Sequence, residues 1–230
     1  MDDSFLSFSG EGALLPSLPR LALPPGVSPP PGAPPTPSVP SLPPWHIWEK
    51  LASQGGGADA YSKAMQDIAT ISSVSEFWDH WLAIPQPSEL LEGNKIVRED
   101  PERSAAIDSL MIFREGIKPE WEDAANQAGG HFAFTFKPGN CNHLQVDEYW
   151  NNIVIAAVGG MLGDKVNGIR LVDKTVSARN ACIRIEVWFR DYADTDAVAE
   201  LRTNVENAMA TRLDGSLGLA PRCEQKCHYD

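Results

Sequence analysis

Trp121, Glu122 and Asp123 stand in a row inside a turn-rich connection, and this grouping has the clearest binding chemistry in the chain. An indole offers a flat π face to a cationic ring. A carboxylate beside it can accept hydrogen bonds from N–H groups on that ring's edge. Such a pair would recognise a positively charged heterocycle. The same residues equally describe an indole packed on a sheet beside a carboxylate facing water. Reaction chemistry is missing from the pattern: there are no paired carboxylates at metal spacing, no nucleophile motif and no phosphate-cradling glycine loop. His46, His80 and His131 show no spacing suited to acid–base work. Cys223, Cys227 and His228 resemble a partial zinc set, but the spacing is loose and a fourth ligand would have to come from Cys141 or His143. No metal or cofactor is expected.

The elements that must hold Trp121 follow from the hydropathy pattern. Ile107 to Arg114 and His131 to Lys137 alternate apolar and polar residues and read as strands flanking the Trp121 connection. An earlier strand opens at Trp45-His46-Ile47-Trp48, and Gly55-Gly56-Gly57 marks a loop with Tyr61 just beyond it. Ser73 to Glu76 reads as a capping box. The helix behind it carries Phe77, Trp78, Trp81 and Leu82 and stops at Pro85 and Pro87. Asp147 and Glu148 place negative charge where a second helix begins. It runs on through Tyr149, Trp150, Ile153, Val154, Ala157, Val158, Met161 and Leu162. Val166 to Val172 and Ile183 to Phe189 read as strands joined by a long hairpin. Arg184, Glu186 and Trp188 fall on one face of the latter. A third helix is expected from about Asp196 to Leu213. The count of elements implies an α+β domain with a strongly bent antiparallel sheet and helices on its convex side.

Composition limits the partners. The 230 residues suit one well-buried domain plus a tail, and the net charge of -12 excludes a protein that grips a nucleic-acid backbone. Any nucleic-acid ligand must be small and read locally, so DNA is not expected. Residues 1–44 hold 13 of the 19 prolines and read as a disordered tail. Within it, Phe5-Leu6 or Leu14-Leu15 could dock a partner, and Thr36-Pro37 could be phosphorylated. The folded domain is placed at 45–215, with a short tail at 216–230. Four cysteines and an acidic start without a signal sequence suggest the cytoplasm or the nucleus. The longest apolar stretch, Ile153 to Leu162, is half of what a membrane span requires.

The run Phe113-Arg114-Glu115-Gly116-Ile117-Lys118-Pro119-Glu120-Trp121-Glu122-Asp123, followed by Asn126 and Gly129-Gly130, resembles the signature of the translation initiation factor 4E family. Those proteins bind the 7-methylguanosine cap of mRNA. The match is dense over about twenty residues, and weaker agreement extends from Trp45 to Leu213.

The resemblance implies a cupped antiparallel sheet of about six to eight strands with three helices on the convex face. It implies a binding protein rather than an enzyme, with the methylated base stacked between Tyr61 and Trp121 and Glu122 accepting its N1 and N2 hydrogens. Tyr61 departs from the tryptophan usual at that position. The hairpin cations would hold the phosphates: Arg184, together with Arg179 counted back from Trp188 or Lys174 counted forward from Gly168. Trp188 would add a further cap contact. Pro40, Val74, Trp78, Asn151, Asn152 and Ile155 fall where a scaffold or inhibitory protein would seat a Tyr-x4-Leu helix. Asn151 and Asn152 replace the family's Leu and Glu, which puts that partner mode in doubt. The function implied is translation initiation by a monomer that recruits a scaffold to capped mRNA. A cap-occupying repressor or storage factor is the alternative, and a cap-processing enzyme the remote one.

Overall fold

A computed structural model describes residues 6–8, 41–52, 58–98, 104–176 and 179–229. Pro40, Phe5, Leu14, Leu15 and Thr36 lie outside the described residues. In chain order the elements are β1 (Leu6–Phe8), β2 (Ser41–Leu51), α1 (Ala58–Ala64), β3 (Met65–Ser73), α2 (Val74–Trp81), α3 (Pro87–Leu91) and β4 (Ile96–Arg98). They continue as β5 (Ala105–Arg114), β6 (Gly130–Phe136), α4 (His143–Val158), β7 (Val166–Asp173), β8 (Ile183–Phe189), α5 (Thr195–Ala210) and β9 (Cys223–Cys227).

Nine described strands form one curved, open antiparallel sheet in the order β1-β4-β5-β7-β8-β6-β9. β2 pairs with β5 and carries β3 on its other side. Register shifts interrupt the β2–β3, β2–β5 and β7–β8 ladders. Such bulges bend a strand and increase its twist, which cups the sheet. Alternation gives the two faces different chemistry. Phe132, Phe134 and Phe136 of β6 and Ile183, Ile185 and Val187 of β8 point into the large convex-side core with Trp81, Trp150, Leu201 and Val205. The other face holds a smaller cluster of Met111, Phe113 and Trp188, joined by Trp48. Trp45 and Trp48, three residues apart on a strand, therefore serve opposite faces.

Ser73 caps α2, its hydroxyl accepting from the Glu76 amide at 3.2 Å. The Glu76 carboxylate accepts from the amide of Ser72 at 2.8 Å, one residue earlier than the expected Ser73. Four helices, α2 to α5, pack on the convex core instead of three, because five-residue α3 is too short to show a helical period. α4 starts at His143, ahead of Asp147, since Asn142 caps the amides of Leu144 and Gln145. α5 ends at Ala210, short of Leu213. The stretch 216–230, expected as a tail, contains β9, which pairs along β6 from Cys223↔Phe134 to Cys227↔Gly130. Among the described residues no helix is long and apolar enough to cross a membrane.

Gly129 and Gly130 open β6 where β8 and β9 close around it. A Cβ on Gly129 would lie 1.9 Å from the Phe189 carbonyl oxygen, and one on Gly130 would lie 2.4 Å from that of Lys226. Both contacts are with backbone, so the sheet itself would have to move. Gly129→Ala should lower stability by about 1–3 kcal/mol, read as an earlier urea midpoint with an unchanged slope.

Candidate ligand-binding site on the concave face

The connection from β5 to β6 is held by hydrogen bonds more than by apolar packing. Asn126 is fully buried, and its amide donates to the carbonyls of Lys118 at 2.8 Å and Glu120 at 2.9 Å. Asn167 of β7, also fully buried, donates to the Ala125 carbonyl at 2.7 Å and to the Asn126 side-chain oxygen at 3.0 Å. Asp123 takes the amides of Lys118 and Ala125 at 3.0 and 2.9 Å. Asp123 is thus spent on the loop, leaving its two neighbours for a ligand. Trp121 is 50% exposed. Glu122 is exposed, and among the described residues its carboxylate has no hydrogen-bond or ion-pair partner. Trp121 and Glu122 line an open recess of about 700 Å³ together with Gln127, Ala128, Asp191 and His228.

Tyr61 sits half-buried on α1, where its hydroxyl donates to the Pro119 carbonyl at 3.2 Å. Burial above all raises its phenol pKa, against the pull of Arg170, so the group remains a donor. Two cations lie over its ring, Lys50 Nζ at 5.3 Å and the Arg170 guanidinium at 5.7 Å. The ring packed against Trp121 belongs to His228, 5.6 Å between centroids and 14° from parallel.

The floor is a charged network on β7 and β8. Glu186 is buried and lies 3.4 Å from Arg184 and 3.7 Å from Arg170. Its other oxygen-bound neighbour is the Trp188 indole N–H, which donates at 3.1 Å. Burial pushes the Glu186 carboxyl pKa up, but Arg170, His131, the Trp188 bond and Arg184 outweigh it and hold the group below its ordinary value. Arg184, Glu186 and Trp188 share this face as the alternation requires. Trp188 is only 1% exposed and lies beneath Phe113, His131 and His228, so it offers a ligand no free surface as it stands. Lys174 and Arg179 are both exposed on the β7–β8 hairpin. Partial burial and then the charge of Arg184 lower the Lys174 pKa, which ties Lys174 electrostatically to the floor network.

The remaining expected positions lie on the convex side. Trp78 and Ile155 stay exposed, at 41% and 40%, and Val74 is half-buried. The two asparagines are already engaged. Asn151 accepts from the Trp81 indole at 2.8 Å and donates to Gln86 at 2.8 Å, joining α4 to α2. Asn152 donates to the carbonyls of Met209 at 3.2 Å and Thr211 at 2.6 Å, closing the end of α5. Cys223 and Cys227 sit at opposite ends of extended β9, roughly 13 Å apart at strand rise, too far to share one ion.

Sequence reasoning missed Arg170, Lys50 and the histidine pair. His131 Nδ1 lies 3.1 Å from His228 Nε2, and His228 Nδ1 lies 2.9 Å from the Asn126 carbonyl. A carbonyl can only accept, so His228 carries its proton on Nδ1 and His131 donates to His228. That leaves His131 Nε2 buried without a partner among the described residues. Burial pushes the His131 pKa from 6.5 down to about 4. Between those values the unfolded chain binds a proton that the folded one refuses, so stability falls as the pH drops through that window. The expected loss is on the order of 2 kcal/mol, and His131→Phe should flatten that part of the profile in urea melts run across it.

The family model for eukaryotic initiation factor 4E matches residues 42–221. Eukaryotic translation initiation factor 4E-1 of Schizosaccharomyces pombe is 30% identical over 169 residues, covering 72% of this chain and 67% of that protein. Eukaryotic translation initiation factor 4E of Candida albicans is 26% identical over 147 residues, covering 64% of this chain and 62% of the other. The solved complex of Ascaris suum eIF4E-3 with m7G cap superposes with a TM-score of 0.61 at 19% identity, over 83% of this chain and 92% of that one. The cupped α+β architecture is common to both, and the chain belongs to the eukaryotic initiation factor 4E family.

Proposed function

We propose that this protein binds the 7-methylguanosine cap of mRNA on its concave face and acts in translation initiation as a binding factor rather than an enzyme. The observation that carries this reading is the half-exposed Trp121 indole beside the exposed carboxylate of Glu122, on a loop locked by Asn126. Methylation leaves the guanine ring positively charged. Stacking on an indole then gains about 0.5–2 kcal/mol of cation–π attraction over neutral guanine. Glu122 accepts the N1 and N2 hydrogens of the base. Tyr61 supplies the second ring, and Lys174, Arg179 and Arg184 face the phosphates. Solved relatives support the assignment: Ascaris suum eIF4E-3 holds an m7G cap, and Caenorhabditis elegans eIF4E-3 holds a cap analog with the 4E-binding protein Mextli.

The exposed Trp78 and Ile155 support the convex side as the seat of a helix carried by a scaffold or inhibitory protein. One observation favours a second reading, a factor that occupies caps without recruiting the initiation machinery. Asn151 and Asn152 spend their side chains inside the fold and so offer a partner neither apolar area nor charge. Lys50 and Arg170 already face the Tyr61 ring, which weakens its attraction for a cationic base under either reading. Capture of an initiation scaffold by the wild type but not by Trp78→Ala supports recruitment. Cap binding with no scaffold captured supports the repressor.

Tryptophan fluorescence should be quenched by 7-methyl-GTP and much less by GTP, with affinity falling as salt rises. Trp121→Leu should weaken cap binding by about tenfold or more, and Tyr61→Leu by less, in proportion to the stacking each ring provides. Equal affinity of the wild type for the two nucleotides, or an unaffected Trp121→Leu variant, would overturn the cap reading.

A further inference from the structure

We infer that His228, delivered by β9, is a positioning residue that holds the Trp121 indole in its ligand-stacking orientation. Trp121 rises from an exposed loop with few apolar contacts, so its ring needs something to fix it. His228 packs parallel to it at 5.6 Å and 14°. The imidazole is itself fixed at both nitrogens, by the Asn126 carbonyl at 2.9 Å and by His131 at 3.1 Å. Its backbone amide donates to the Gly129 carbonyl at 3.1 Å, continuing the β6–β9 ladder past Cys227. The indole is thus tied through one stacked ring to the hub of its own loop and to the sheet. Half of Trp121 stays exposed, which leaves area for a ligand beside the imidazole. The family match ends at residue 221, so this contact comes from sequence beyond it.

The inference rests on the reading of Trp121 as the stacking platform, and a ligand-free measurement keeps the two separable. In the 15N-labelled full chain, the Trp121 indole N–H resonance can be assigned by its loss in Trp121→Phe. His228→Ala should shift and broaden it, and His228→Phe should return it to a sharp line. With 7-methyl-GTP, His228→Ala should bind about fivefold more weakly and His228→Phe within about twofold of wild type, the scale of one aromatic pair.

A pH series adds a signature that mere packing would not give. The titratable and charged neighbours of His228 are His131 on β6, Glu186 on β8 and, around the recess, Glu122, Asp191 and Tyr229, while Arg184 on β8 and Lys226 on β9 act on its partner His131. Burial first, against the bond to Asn126 and the charge of Glu186, lowers the His228 pKa below 6.5, while His131 stays neutral down to about 4. As the pH falls through the His228 value, an imidazolium forms on the indole and competes with a cationic base for the same π electrons. Wild-type affinity should therefore drop in a step that His228→Phe lacks, the ligand's own titration being common to both proteins. An unchanged resonance in His228→Ala overturns the inference. Tighter cap binding by that variant also overturns it, since His228 would then occupy the ligand's own place. If the resonance responds as stated and wild type ignores 7-methyl-GTP, the cap reading falls and the positioning role stands.

Discussion

A fully buried primary amide must find all its hydrogen bonds inside the protein or lose the free energy of its hydration. Asn126 meets this condition by reaching back to two carbonyls of its own loop, taking a donor from Asn167 and offering its backbone oxygen to His228. Loop, β7 and C-terminal strand are joined at one residue. Removing that side chain would leave the carbonyls of Lys118 and Glu120 with one backbone donor each and would take away one of the two acceptors of the Asn167 amide. The orientation of Trp121 and Glu122 is therefore a consequence of polar satisfaction at a point several residues away.

The sheet beneath this hub separates two kinds of free energy. Its convex side buries apolar area against four helices and supplies the stability of the domain. Its concave side carries a buried carboxylate between two guanidinium groups, with an indole donor and a neutral imidazole beside it. A network of that type adds little net stability, because desolvation of the charges offsets most of their attraction. What it provides is a fixed field under the ligand face. Arg184 and Lys174 gather positive charge on a protein whose overall charge is -12, so an anionic ligand finds attraction only locally.

Much of this was legible in the sequence because period and spacing carry it. The alternation of Phe132, Phe134 and Phe136 fixes which side of β6 is core, and the same rule puts Arg184, Glu186 and Trp188 together. The Trp121-Glu122 pair with Asn126 and Gly129-Gly130 identified both the family and the loop. Other features were hidden for physical reasons. Cys223 to Cys227 has no apolar alternation, since β9 is an edge strand with three exposed central residues, and so it read as a tail. His228 was weighed as a metal ligand because spacing cannot show that its ring stacks on an indole about a hundred residues away. Trp188 is expected to contact the ligand, yet alternation says only which face a side chain takes and not what lies over it. The engagement of Asn151 and Asn152 depends on where α2 and α5 end, and helix ends are the least readable part of a sequence.

An open sheet has two unguarded sides, and here β9 forms one of them: it pairs with β6 and with no further described strand. Unpaired amides and carbonyls along such a margin invite a strand from another molecule. The composition that hid β9 from the hydropathy pattern discourages this. Glu224, Gln225 and Lys226 are exposed, and a strand laid against them would have to strip water from both charges and from the amide. The weak apolar character of Cys-Glu-Gln-Lys-Cys thus raises the cost of adding a foreign strand along this margin of a bent, unclosed sheet.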